Sequence, residues 1–117
     1  MLDAQALADR YVAAWSEPDA AERSRAIAAL WAPDAARGEG TRKARGYGAL
    51  SKLLTGSPEG NGVRYRAAPT ARLRGDVLTF RWEMTIADGE TVLASGLEFL
   101  IVDDDGRILV DHPFAVA

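Results

Sequence analysis

The sequence predicts an α+β domain: three N-terminal helices packed on one side of a curved, mostly antiparallel sheet. Three observations carry this reading. In the first half of the chain apolar residues recur three and four apart, the period of a helix with one buried face. From Val63 onward they alternate with polar residues, the period of half-buried strands. The strands also follow the helices as a block rather than alternating with them, which is the α+β arrangement.

The first helix runs from about Asp3 to Ser16, and Leu7, Tyr11 and Trp15 stack four residues apart on one stripe. A phenol in the middle of that stripe is either core with a satisfied hydroxyl or a group facing a cavity, and periodicity does not choose between them. Asp19 caps a second helix, with Glu22 three residues on completing a capping box. Ile27, Leu30 and Trp31 form its inward face, and Pro33 ends it. "DAARGEG" suits a brief strand or a loop edge. A third helix spans Gly46 or Tyr47 to Thr55, with Leu50, Leu53 and Leu54 inward and Gly56 at its C-terminal end.

Strands follow. "GVRYRA" alternates, and "VLTFRWEMTI" sets Leu78, Phe80, Trp82, Met84 and Ile86 on one face. "DGE" at 88–90 signals a hairpin turn. "TVLASGLEFLIV" is a long strand, apolar on much of both faces, and "DDDGR" turns it into "ILVDHPFAV". In that last strand Ile108, Val110, His112 and Phe114 form one set, and Leu109, Asp111 and Pro113 the other. Apolar company predicts that His112 points inward; a twist of the strand would turn Asp111 inward instead. Leu100 and Val102 are expected on the outer face, where a second copy would cover them as a homodimer.

The chain has 117 residues and reads as one domain, 1–117. It has no cysteine and a single histidine, His112, which excludes thiolate metal sites and argues against a His-rich zinc site. A net charge of -3 gives no reason to expect nucleic acid as partner. No apolar run has the length of a membrane span, and "MLDAQALADR" lacks the layout of a signal peptide. The expectation is a soluble cytoplasmic protein that needs no metal or organic cofactor.

Several local words are shared with known proteins: "RYVAAW" in the first helix, "ALWAPDA" closing the second, the glycine of "ARGYGAL", and "GETVLASGLEFLIVDDDGRI". In order and wording the chain resembles the nuclear transport factor 2-like superfamily, and within it the SnoaL-like and ketosteroid isomerase-like proteins. That resemblance implies a cone-shaped fold around a deep apolar pocket. The isomerases use an aspartate base and an oxyanion hole of one tyrosine and one protonated aspartate. The matching tyrosine is Tyr11, and the base position, counted from Asp34, holds Glu39, one methylene longer. The second donor's position matches Leu97, which implies that this donor is gone. Arg42, Lys43 and Arg45 form a basic cluster near the implied pocket rim.

The resulting candidate catalytic residues are Tyr11, Glu39, Asp111 and His112. Trp15, Trp31, Leu54, Phe80, Trp82, Met84, Leu97 and Phe99 are candidates for an apolar substrate-binding wall, with plain core packing as the alternative for each. The implied activity is proton transfer on a small apolar carbonyl compound, with Glu39 or Asp111 moving the proton and Tyr11, aided by His112, holding the oxygen. A binding module without chemistry and a dimerisation module are the rival readings. The Asp-Arg-Asp group of limonene epoxide hydrolase has no matching positions, and "GEGTRKARGYG" lacks P-loop or dinucleotide spacing.

Overall fold

The computed structural model describes residues 3–17, 19–39, 42–54, 63–86 and 90–116. The helices are α1 (Ala4–Trp15), α2 (Ala20–Leu30) and α3 (Gly46–Leu54). The strands are β1 (Trp31–Glu39), β2 (Arg42–Arg45), β3 (Val63–Ala67), β4 (Arg72–Arg74), β5 (Val77–Ile86), β6 (Val92–Val102) and β7 (Ile108–Val116). The expected Thr55–Gly56 helix end and the core of the 88–90 turn lie outside the described residues.

Capping sets the helix starts. Asp3 accepts from the Ala6 N–H at 3.0 Å, and Asp19 accepts from the Ala21 and Glu22 N–H groups at 2.8 and 3.0 Å. The capping box differs from expectation in its return bond. The Asp19 N–H donates to Glu17 rather than Glu22, and Glu22 pairs with Arg25. The brief strand expected after α2 is nine residues long and leaves the helix without a loop. Pro33 favours this, because it biases Ala32 toward extended backbone.

The sheet has the order β2-β1-β7-β6-β5-β3, with β4 also on β5, and it does not close into a barrel. Among the described residues β1 pairs with β7 in parallel and the other pairings are antiparallel. The β1–β7 register shifts between Trp31 and Ala36, and two further irregularities decide what faces where on β6 and β7. Between β6 and β7, Val102 pairs with Ile108 but Ile101 pairs with Val110, so Leu109 is an extra residue. A one-residue slip moves every later side chain to the opposite face. Ile108 and Asp111 are therefore both fully buried, whereas His112 is exposed and Phe114 is 53% exposed. The inward His112 predicted from simple alternation is corrected by this bulge. A second slip leaves Leu93 extra in β6, exposes it, and buries Thr85.

Along β6 the inner face carries Gly96, Glu98, Leu100 and Val102, all buried, and the outer face carries Leu97, Phe99 and Ile101. The expectation that Leu100 and Val102 lie outside is overturned; Leu100 is fully buried and Val102 nearly so. The apolar pair that does reach the outer surface is Phe99 with Phe114, ring edge to ring face at 5.2 Å. The helices cover the inner face. Leu7, Ile27, Leu30 and Leu50 pack there against Trp31, Leu78, Phe80, Leu100 and Ile108, each large side chain contributing about 1.5–3 kcal/mol on burial. No helix among the described residues is long and apolar enough to cross a membrane.

Candidate functional site

Four polar side chains converge where α1 crosses the inner face of the sheet. Tyr11 arrives from α1, its ring buried against Trp15, Trp31 and Phe80 at centroid distances of 6.3, 5.4 and 5.4 Å. Its hydroxyl passes this aromatic layer and donates to Asp111 Oδ2 at 2.6 Å. Arg37 arrives from β1, beside Asp111 in the parallel register. Its Nε donates to the same Oδ2 at 3.2 Å, and its guanidinium carbon stands 4.3 Å from the centre of the Trp15 ring. Glu98 arrives from β6, where Leu100 pairs with Asp111 and Glu98 pairs with Pro113. Glu98 and Asp111 are thus diagonal neighbours on one face, within side-chain reach.

Electrostatics sets the protonation of this cluster. Burial pushes the Glu98 carboxyl up to about 10, helped by its hydrogen bond to Asp111 and the Asp111 charge, while Arg37 pulls the other way. The Tyr11 phenol is raised well above its ordinary 10 by burial first, then by Asp111 and Glu98. At neutral pH the cluster therefore holds a carboxylic acid, a phenol and one Arg37–Asp111 ion pair, with no net charge. Glu98 Oε2 and Asp111 Oδ1 are buried without a donor when both carboxyls are bare. The proton retained on Glu98 supplies the missing donor, so that Asp111 accepts from three partners. Such a pair survives burial only when its remaining polar atoms are satisfied.

A cavity of about 230 Å³ opens beside the cluster. Tyr11, Arg37 and Glu98 form its polar end, and Asp111 lies behind them rather than at the surface. Val12, Trp15, Tyr65, Trp82 and Pro113 form the rest of its wall among the described residues. Trp82 pairs across the sheet with Gly96, and a Cβ on Gly96 would fall 2.3 Å from the indole ring. The missing side chain is what lets the ring lie there.

The candidates named from sequence separate clearly. Tyr11, Trp15 and Trp82 line the cavity, and Asp111 anchors the cluster behind it. Trp31 and Phe80 are core, packed behind the Tyr11 ring. Met84 is partly buried and outside the cavity lining among the described residues. Leu97 and Phe99 lie on the outer face because their parity in β6 is opposite to that of Glu98. His112 also lies outside, its ring close to Gly38, where a Cβ would meet it at 3.6 Å. The side chains of Glu39 and Leu54 lie outside the described residues; Glu39 is placed only as the last residue of β1, paired with Arg42.

Two residues escaped the sequence reading. Glu98 is the more legible of them, a single carboxyl inside the apolar run "SGLEFLIV". The acid that faces inward on this strand is Glu98, one position beyond Leu97, whose side chain is on the outer face. Arg37 was hidden because its segment read as a brief strand or a loop edge, with no pattern to say what its side chain would face.

The fold defines the class first: helices on a mixed, open sheet in this order are the nuclear transport factor 2-like fold. Solved structures then show what the chain is similar to. A candidate isomerase of the SnoaL-like family from Agrobacterium tumefaciens is 23% identical, with a TM-score of 0.87 over 97% of both chains. A candidate ketosteroid isomerase from Kribbella flavida is 19% identical, with a TM-score of 0.72 over 97% of this chain and 78% of that one. A candidate polyketide cyclase from Sinorhizobium meliloti is 19% identical, with a TM-score of 0.65 over 92% and 93%. At these identities the likeness is one of fold. No protein-family model and no curated protein matches the sequence.

Proposed function

We propose that this protein is a small-molecule enzyme of the isomerase or cyclase type, acting on an apolar carbonyl compound by proton transfer. The observation that carries the reading is the neutral Glu98 carboxyl at the polar end of a small, largely apolar cavity. A substrate carbonyl oxygen seated there takes over the hydrogen bond that the Glu98 O–H otherwise gives to Asp111, which keeps its bonds from Tyr11 and Arg37. When a base takes the proton from the adjacent carbon, the electron pair moves into the new C=C bond and negative charge builds on that oxygen. The Glu98 O–H stabilises it; one donor of this kind is worth about 2.7–4 kcal/mol. In a substrate with a β,γ double bond, return of the proton to the γ-carbon shifts that bond into conjugation and gives the isomer, with no net consumption of anything. Asp111 is a positioning residue, holding Tyr11, Arg37 and Glu98 in place. The base role falls to Glu39 by the family resemblance.

A binding module is the second reading, and a specific observation favours it: Tyr11 and Arg37 both donate to Asp111, so the cluster is satisfied from within. Deuterium uptake at the methyl group of acetophenone in heavy water, followed by NMR, separates the two. Exchange above the buffer rate that falls on Glu98→Leu and on Glu39→Gln is the expected result. Saturable binding with exchange at the buffer rate establishes the binding module instead.

A further inference from the structure

The dimensions and wall of the cavity specify the ligand more narrowly than its polar end does. Its volume is about 230 Å³. Cavities of about 150 Å³ accept a benzene, and drug-sized ligands occupy roughly 300–1,000 Å³. One ring with a short substituent fits this space with little to spare; three fused rings exceed it. The wall that sets the limit is Trp82. Its indole occupies the space that a side chain at residue 96 would fill, since a Cβ there would stand 2.3 and 2.4 Å from two indole carbons and 2.6 Å from the Phe114 carbonyl oxygen. The ring is held on its other flank by Tyr65, edge-on at 6.0 Å, and Tyr65 lines the same cavity.

The polarity of the wall is also specific. Arg37 and Asp111 cancel each other's charge in their ion pair, leaving no uncompensated cation among the described lining residues. The indole N–H groups of Trp15 and Trp82 are buried and have no acceptor among the described residues. Both belong to residues that line the cavity. The donor that a ligand acceptor meets at the polar end is the Glu98 O–H of the reading above.

Resting on the carbonyl-compound reading above, we infer that the substrate is a neutral, single-ring-sized molecule bearing an acceptor, and that Trp82 seated on Gly96 is the residue that excludes larger ones. Trp82 is a specificity determinant here, distinct from the residues that handle the proton.

Calorimetric titration of the full chain with acetophenone, 2-acetylnaphthalene, 2-acetylanthracene and benzoate tests this. The wild type is expected to bind acetophenone about tenfold or more tighter than 2-acetylanthracene or benzoate. In Trp82→Ala the ketone ranking should invert, with 2-acetylnaphthalene gaining about tenfold over the wild type. Trp82→Phe should fall between, and it decides the matter alone if the alanine variant does not fold. A folded variant that keeps the wild-type ketone ranking overturns the role of Trp82. Benzoate binding as tightly as acetophenone overturns the neutral-ligand inference. If no ketone binds the wild type or either variant, the carbonyl-pocket reading itself fails, and this inference with it.

Discussion

The two faces of the β6–β7 pair invert the usual rule of composition. The inner face carries two carboxyl groups, Glu98 and Asp111, both almost wholly buried, while the outer face presents Phe99 and Phe114 at 38% and 53% exposure. Hydropathy alone would place them the other way round. What the difference teaches is that burial here follows hydrogen-bond satisfaction. Each inner carboxyl has partners waiting on α1, β1 or the neighbouring strand, whereas a phenyl ring outside loses only its own transfer energy. Removing an inner group therefore strands its partners, and removing an outer group strands nothing.

The largest expected effect is on Asp111. Asp111→Ala leaves the buried Arg37 guanidinium without its carboxylate and the Tyr11 hydroxyl without its acceptor. Breaking a buried pair in this way costs about 3–5 kcal/mol, so urea unfolding should show a correspondingly lower midpoint. A loss within about 0.5 kcal/mol, the range of ordinary surface changes, would break the comparison.

Glu98→Gln should act in the opposite direction. Glu98 is raised in the folded state to about 10 from an ordinary 4.5. Between those values the folded protein holds a proton that the unfolded chain has released. Stability from this group is thus complete below about 4.5 and is lost as pH rises toward about 10. Glutamine keeps the shape, supplies an N–H donor toward Asp111 and needs no proton. The variant should be about 1–3 kcal/mol more stable than the wild type near neutral pH, with a flatter dependence on pH. Unfolding curves at several pH values between 5 and 9 check this; parallel slopes for the two proteins would refute the protonated state of Glu98.

The smallest effect belongs to the outer face. His112→Ala should change stability by no more than about 0.5 kcal/mol and leave deuterium exchange at the wild-type rate. A marked loss of exchange would return His112 to the site.

The sequence made the helices and the strongly alternating strands legible because each element has a single period and its own cap or turn. Asp3 and Asp19 named the helix starts, and Leu78, Phe80 and Trp82 named the inner face of β5. The site was only partly legible. Tyr11 and Asp111 stood among the candidates, but their bond spans 100 positions and joins elements that no local pattern relates. Which of Asp111 and His112 faces inward depends on Leu109, and a bulge leaves no mark on alternation read one strand at a time. Arg37 needed the pairing of β1 with β7, a parallel contact between distant segments. Glu98 was legible in principle, as a charge where only apolar residues surround it.

Leu109 has a consequence for how such a chain evolves. It works as a frame setter for the far half of β7: the residues beyond it take their chamber or solvent address from a count rather than from their chemistry. Loss of that one codon would leave Val110 opposite Ile101 and the carboxylate of position 111 inside. A flattened bulge that kept Leu109 in the ladder would instead send the imidazole of position 112 and the phenyl of position 114 toward the chamber and that carboxylate out. The same alphabet of side chains would then line a different chemical compartment, with Arg37 and Tyr11 facing a new neighbour. In this fold a change of phase by one residue can rewrite the chamber more thoroughly than any single substitution within it.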